Sequence, residues 1–264
     1  MTGKVKVNEC GHYECYFGGC YGIEKIEPNK CIPVGGNLFT EKMGKYLYID
    51  YDNLKNLFNI DKLCETTSEY LPKKESWGKW LKEEGIDVDP EIYMIAFLFT
   101  KAYDKKFGYK RDINEVRNKR EELFKNNDIV PISEILEKGI AECAEIAALA
   151  QLYFQKVKEE IGIEFESTYI SGEVLWDKDR EFGEPHSFIH IKYNGREYIF
   201  DPANPIESER DGTYHPRIQT VEDFKKKISQ DKKIFVKTVS IYNNNEIYYG
   251  VGNRTNVTED NLVD

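Results

Sequence analysis

The chain has 264 residues and a formal net charge of −10 at pH 7. Its acidic and basic residues are interspersed, with no long Lys/Arg block, which excludes the usual electrostatic basis for binding nucleic acid or an anionic membrane. Hydrophobic residues make up 40% and aromatic residues 13%, enough to fill the core of one large domain or of a main domain with an extension, and we favour the second organisation.

The beginning of the chain lacks the apolar run of a signal peptide, and no stretch reaches the length of a membrane span. We therefore expect a cytoplasmic protein without a membrane partner. The chain has six cysteines, which in a reducing compartment are expected to serve as thiols, metal ligands or nucleophiles rather than as a disulfide framework.

The first 40 residues are rich in glycine and cysteine and show no sustained helical or strand periodicity. This pattern predicts a loop-rich segment. We predict an N-terminal extension or small subdomain over residues 1–88, a main domain over residues 89–250 and a polar C-terminal tail over residues 251–264.

Thiolate and imidazole groups near the N-terminus raise the alternative of a zinc site, because zinc prefers these ligands. The candidate ligands are Cys10, His12, Cys15, Cys20 and Cys31. Their Cys-x4-Cys-x4-Cys spacing is not a strong zinc signature, so we prefer a loop whose cysteines bind no metal and predict no cofactor.

Four helices are predicted between residues 89 and 158. An Asp89 cap, a proline in the first turn and apolar residues at helical spacing predict a buried helix from residue 90. A charged helix over residues 112–126 and a short one over residues 132–138 follow. Residues 141–158 contain strong helix formers and a run of small or apolar side chains, which predicts a helix buried on most sides with Cys143 in its first turn.

A strand is predicted over residues 165–176, followed by a polar loop over residues 177–185. Three acidic side chains of the loop raise the alternative of a calcium site: Asp177, Asp179 and Glu181. The loop lacks the full ligand pattern and the glycine of a calcium-binding loop, so a solvated loop is the preferred interpretation.

The dipeptide Asn194-Gly195 stands between two alternating strands, which is typical of a β-hairpin with a two-residue turn. Such a turn pairs Tyr193 with Arg196 and so fixes the register of the whole hairpin. That register pairs Ile191 with Tyr198 and Ile189 with Phe200 on an apolar face, and Lys192 with Glu197 on the other face.

The second face of this hairpin carries two histidines near one aspartate. Phe188 is predicted to lie opposite Asp201, and His186 is the diagonal neighbour of Asp201, roughly 7–8 Å away between backbones and within side-chain reach. His190 is also diagonal to Asp201 in the same register. Geometry alone therefore does not choose between the two histidines.

Beyond the hairpin, the pattern predicts a turn at Asp211-Gly212, a short helix over residues 221–228 and a second hairpin around residues 243–245. Helices thus come first and a mainly antiparallel sheet follows. This order predicts the α+β class.

A cysteine, a histidine and an aspartate in these positions can form a nucleophilic centre. A thiol attacks efficiently at neutral pH when a helix N-terminus or an imidazolium favours its thiolate. An imidazole can move protons, and a carboxylate can hold that imidazole in one tautomer. Cys143, His186 and Asp201 fit these roles, although Cys143 could instead be a small buried side chain and Asp201 an ordinary residue at the end of a strand.

Four sequence elements occur in order over residues 135–205. They are Gly139 before the helix led by Cys143, Tyr-Ile-Ser-Gly-Glu-Val at residues 169–174, Pro-His-Ser-Phe-Ile-His-Ile at residues 185–191, and Tyr-Ile-Phe-Asp-Pro at residues 198–202. In this order they resemble the transglutaminase-like superfamily, which has a papain-like Cys-His-Asp fold.

The resemblance implies that Cys143 is the nucleophile, His186 the acid/base and Asp201 the residue that orients His186. It favours His186 over His190. It also implies an α+β fold with N-terminal helices, in which the catalytic cysteine starts a helix packed on an antiparallel sheet, and it makes residues 89–250 the catalytic domain.

Chemistry of this kind acts on amide bonds of a protein or peptide substrate through a thioester on the cysteine. A cysteine peptidase or amidase is our leading hypothesis. A protein-glutamine transglutaminase or deamidase is the alternative with the same intermediate, and a non-catalytic binding module that keeps the fold is the alternative of another class.

Overall fold

The computed structural model describes residues 26–33, 45–175 and 184–223, and elsewhere the backbone of several short strands. Seven α-helices lie within these described residues: α1 (Tyr51–Phe58), α2 (Ile60–Tyr70), α3 (Lys74–Glu83), α4 (Pro90–Phe107), α5 (Ile113–Asn126), α6 (Ile132–Glu137) and α7 (Cys143–Ile161). A short 3-10 helix, Leu71–Lys73, connects α2 to α3.

The described strands form a mixed α+β structure with these helices. They are β1 (Val5–Val7), β2 (Tyr13–Cys15), β3 (Ile23–Glu24), β4 (Cys31–Pro33), β5 (Tyr46–Tyr48), β6 (Ile129–Pro131), β7 (Glu166–Leu175), β8 (Glu184–Tyr193), β9 (Arg196–Glu207), β10 (Tyr214–Thr220), β11 (Phe235–Lys237), β12 (Val239–Tyr242) and β13 (Asn245–Tyr248). The main sheet is antiparallel, in the order β10-β9-β8-β7-β11, and β3 also pairs with β7.

Three smaller sheets accompany the main one. Strands β1 and β2 pair with each other, and so do β12 and β13. In the third, β5 pairs antiparallel with β4 and parallel with β6. The parallel pair is a long-range contact that joins the segment before α1 to the segment before α6.

Helix α7 lies across the main sheet and forms the centre of the core. It packs on β7, β8 and β9 on one side and on α2 and α4 on the other. Its small residues between Ala144 and Ala150 are buried, which lets neighbouring backbones approach closely. Further along the helix, the ring centroid of Phe154 lies 5.8 Å from that of Phe200 on β9. Full burial of such a side chain stabilises the folded state by about 1.5–3 kcal/mol.

The ends of the predicted helices follow from local capping. Asp89 accepts a hydrogen bond from the Glu91 N–H at 3.0 Å and starts α4, and Asp112 caps α5 in the same way. Helix α7 begins at Cys143, two residues later than predicted, because Glu142 is its cap. It ends at Ile161, and Gly162 directly after it adopts the left-handed conformation.

The β8–β9 hairpin has the register that the sequence predicts. Tyr193 pairs with Arg196 across the turn, and the four pairs that follow are Lys192 with Glu197, Ile191 with Tyr198, His190 with Ile199 and Ile189 with Phe200. Asn194 and Gly195 both have positive φ, 50° and 72°, as a two-residue hairpin turn requires. The turn therefore sets which side chains reach each face of the sheet.

The predicted extension, where it is described with its side chains over residues 26–33 and 45–88, contributes to the same core as the later helices. Leu54, Ile60 and Leu81 from α1, α2 and α3 are buried in it. The predicted boundary at residue 88 falls between α3 and the Asp89 cap of α4.

Some sequence predictions are only partly described. Strand β8 starts at Glu184, so the last two residues of the predicted 177–185 loop belong to a strand, and residues 177–183 lie outside the described residues. Of the predicted 221–228 helix, residues 221–223 are helical and the remainder lies outside them. The second hairpin is present as β12 and β13.

Candidate active site

Cys143 occupies the first turn of α7, where a capping box fixes the start of the helix. The Glu142 N–H donates to a Glu145 carboxylate oxygen at 2.7 Å, and the Glu142 side chain accepts from the Glu145 N–H. Cys143 itself is half-buried. The positive end of the helix dipole at this position favours an anionic thiolate.

His186 lies on β8 and is brought to Cys143 by the packing of α7 on the sheet. Its side chain is buried and forms a hydrogen bond with the Cys143 side chain. On its other side, His186 Nε2 lies 2.8 Å from Asp201 Oδ2. The three residues singled out by the sequence therefore form a continuous chain of contacts from sulfur to carboxylate.

Asp201 lies on β9 and is held by groups besides His186. Asn204 donates from Nδ2 to Asp201 Oδ2 at 3.0 Å, and the Ala203 N–H donates to Oδ1 at 3.2 Å. Arg217, the partner of Asp201 across β9 and β10, donates from Nε to the Asn204 carbonyl at 2.6 Å. The carboxylate is thereby oriented from several directions.

The contacts between His186 and Asp201 set the charge of both side chains. Burial alone would lower the pKa of His186, but the charge and hydrogen bond of Asp201, together with contacts to Cys143, outweigh it and raise that pKa to about 10. Burial would likewise raise the pKa of Asp201, but the charge of His186 and the hydrogen bonds of His186 and Asn204 lower it. An imidazolium held beside a carboxylate and a thiol is the form that stabilises a thiolate.

These pKa shifts predict how the stability contributed by the pair changes with pH. Because folding raises the pKa of His186 from 6.5 to about 10, its stabilisation is complete below pH 6.5 and declines as the pH rises through 10. Because folding lowers the pKa of Asp201 from 3.8, its stabilisation is present above that value and is lost as the pH falls further. The unfolding temperature of a His186→Asn variant should therefore lie furthest below that of the parent between about pH 4 and 6.5. Calorimetry of both proteins across pH 4 to 10 would measure this, and a difference independent of pH would contradict it.

His190, the competing histidine, lies elsewhere on the sheet. It pairs with Ile199 in the β8–β9 register, and its Nε2 lies 3.2 Å from Glu197 Oε2. The structure thus places a different carboxylate next to each histidine, with His186 beside Asp201 and Cys143. This separates two candidates that the strand register left equivalent.

Cys64 provides a contrasting thiol within the same chain. It is buried in α2, and burial raises its pKa to about 12. A buried thiol of this kind is protonated at neutral pH and unreactive. Cys64 therefore serves as an internal reference for the reactivity of Cys143.

The other candidate ligands are only partly within the described residues. Cys10, His12 and Cys20 of the zinc alternative lie outside them, Cys15 is described by its backbone alone, and Cys31 is half-buried on β4. The acidic loop residues of the calcium alternative also lie outside them. Among the described side chains, no group of three or more His, Cys, Asp or Glu residues is arranged to hold a metal ion.

Three residues near the site were not predicted. Asn204 orients Asp201, while Arg111 and Arg120 donate hydrogen bonds to the Ala141 and Ile140 carbonyl oxygens just before Cys143. Asn204 stands three residues after Asp201, but nothing in the local pattern distinguishes it from a loop residue. Arg120 sits in a highly charged helix, where its burial has no sequence signal.

Within the described residues, no helix combines the length and the apolar character needed to cross a bilayer. Comparisons of the chain with family models, with curated proteins and with solved structures found no match.

Proposed function

We propose that this protein is a thiol-dependent acyl-transfer enzyme that cleaves amide bonds through a thioester on Cys143, with a peptide or other amide as substrate and water as the acyl acceptor. The observation that supports the proposal is the unbroken chain of contacts from Cys143 through His186 to Asp201. We also infer a papain-like core of the transglutaminase kind, because the helix that starts with the cysteine packs on the antiparallel strands that carry the histidine and the aspartate.

In the first half of the proposed reaction, the Cys143 thiolate attacks the carbonyl carbon of the amide and a carbon–sulfur bond forms. The carbonyl oxygen becomes an oxyanion, which the backbone N–H at the start of α7 stabilises. The carbon–nitrogen bond then breaks, the His186 imidazolium donates its proton to the leaving amine, and the acyl group remains on sulfur as a thioester.

In the second half, water attacks the thioester while neutral His186 accepts a proton from it. The carbon–sulfur bond breaks, a carboxylic acid leaves and the thiolate–imidazolium pair is restored. Asp201 holds the imidazole in one orientation through both halves and stabilises the imidazolium whenever it forms. A primary amine in place of water would give a new amide, which is the transglutaminase alternative.

Mass spectrometry of a peptide mixture incubated with the protein tests this function. New peptide ends indicate hydrolysis of the main chain, replacement of a glutamine NH2 by OH indicates deamidation, and an added amine indicates transfer. We expect main-chain cleavage that is absent with Cys143→Ala and retained with Cys31→Ala, since Cys31 is also half-buried but lies on β4, in a different sheet from His186. An unchanged mixture would overturn the proposal in favour of a binding module.

A further inference from the structure

Resting on this proposed function, we propose that Arg120 is a positioning residue for the nucleophile. It fixes the loop that leads into α7 and supplies a positive charge within electrostatic range of the Cys143 sulfur.

The Arg120 guanidinium binds the loop and the first turn of α7 at three points. Nη1 donates to the Ile140 carbonyl at 2.9 Å, Nη2 to Glu145 Oε1 at 2.8 Å, and Nε lies 3.1 Å from Glu142 Oε2. The Arg120 side chain is only 8% exposed and that of Glu145 is fully buried. Because the guanidinium is rigid and planar and binds three acceptors, it holds the start of α7 in a single orientation.

The backbone of residues 140–142 determines the direction of the Cys143 N–H. The three carbonyl oxygens before Cys143 all accept hydrogen bonds: that of Ile140 from Arg120, that of Ala141 from Arg111 and that of Glu142 from the Ile146 N–H. Because a trans peptide is planar, each following N–H points the opposite way from its carbonyl. The Cys143 N–H is therefore directed out of the N-terminal end of α7, where an oxyanion would need a donor.

The charges around the sulfur explain why a cation is needed there. Glu142 and Glu145 of the capping box lie next to Cys143, and two carboxylates would disfavour a thiolate beside them. Arg120 from α5 interacts electrostatically with both carboxylates and with Cys143. Arg111 and Arg117 also act electrostatically on Glu142, and His186 faces this end of the helix from β8.

The test compares two single variants of α5 that each remove one positive charge. Arg120→Gln removes the buried guanidinium and leaves an amide that can still donate a hydrogen bond to its neighbours. Lys119→Gln removes an exposed cation, the ion-pair partner of Glu115 on the same helix, and is the matched control. The measurement is the rate of Cys143 alkylation by iodoacetamide at pH 6 and pH 9, followed by peptide mass spectrometry, together with the unfolding temperature.

We expect Arg120→Gln to alkylate about thirtyfold more slowly than the parent at pH 6, about tenfold because the thiolate loses a neighbouring positive charge and about threefold because the loop is no longer held by three contacts. At pH 9 the loss should be about threefold, because ordinary thiols are then largely ionised and only the positioning effect remains. Lys119→Gln should match the parent at both pH values. An Arg120→Gln variant with a lower unfolding temperature but the parent's rates at both pH values would overturn the proposal, since Arg120 would then be purely structural.

Should Arg120→Gln fail to fold, Arg120→Lys decides the question. Lysine keeps the charge but cannot meet three acceptors at once, so both rates should fall by at least about threefold while their ratio stays that of the parent. Rates equal to those of the parent would overturn the proposal. A parent that alkylates slowly at pH 6 would instead overturn the proposed function itself, whereas a fast parent with insensitive variants rejects the role of Arg120 alone.

Discussion

Replacing His186 with asparagine should lower the rate at which iodoacetamide alkylates Cys143 at pH 6 by about a hundredfold. An ordinary thiol with a pKa near 8.5 is only about 0.3% ionised at pH 6, whereas a thiol paired with an imidazolium is largely a thiolate. Asparagine can still donate a hydrogen bond to Asp201 but cannot carry a proton. The variant therefore removes the charge while preserving a partner for the buried carboxylate.

The matched control is His190→Asn, because His190 is buried on the same strand but lies beside Glu197 instead of Asp201. Its alkylation rate at Cys143 should equal that of the parent. Cys64 should remain unlabelled in every folded variant, and its labelling would report unfolding. Loss of reactivity in the His190 variant, or in neither variant, would show that His186 does not activate the thiol.

Replacing Asp201 with asparagine should lower the turnover of a cleaved peptide by a factor on the order of 10² to 10⁴. The carboxylate accepts the hydrogen bond of His186 Nε2 at 2.8 Å and so selects the imidazole tautomer whose other nitrogen faces the thiol. A carboxamide can present its NH2 group instead and favour the opposite tautomer. It also removes the negative charge that contributes to the raised pKa of His186.

Glu197→Gln is the control for this change, since it neutralises the carboxylate next to the other histidine. We expect it to turn over the same peptide at the parent's rate. The unfolding temperatures of both variants must lie above the assay temperature, so that both proteins are folded when turnover is measured. Turnover by Asp201→Asn within a factor of about two of the parent would mean that His186 is oriented by other contacts.

Much of this site could be predicted because its determinants are local. Asn194 and Gly195 specify a two-residue turn, and the turn fixes the pairing of every residue from Tyr193 back to Ile189. The alanine-rich pattern after Cys143 is also local, and it specifies a buried helix. Side-chain reach across a known register then brought His186 within range of Asp201.

The rest depends on contacts between distant segments that leave no periodic signal. Arg120 binds a carbonyl 20 residues further along the chain and a carboxylate 25 residues further along. Helices α1 to α3 and strand β10 were not predicted as separate elements, although β10 places Arg217 beside Asp201. Strand register alone did not choose between His186 and His190. The family resemblance favoured His186, and the contact of His186 with Cys143 depends on the packing of α7 on the sheet, which the register does not contain.

The two-residue turn of the β8–β9 hairpin has a consequence for the entropy of assembling the site. His186 and Asp201 are 15 residues apart, and the strand pairing that closes the turn already brings them close together. The conformational entropy lost in joining them is therefore largely shared with hairpin formation. Docking Cys143 requires closure of a longer loop, whose entropic cost must be offset by the apolar surface that α7 buries on the sheet. The acid–base pair is thus held mainly by local chain geometry, and the nucleophile by the long-range packing of the core.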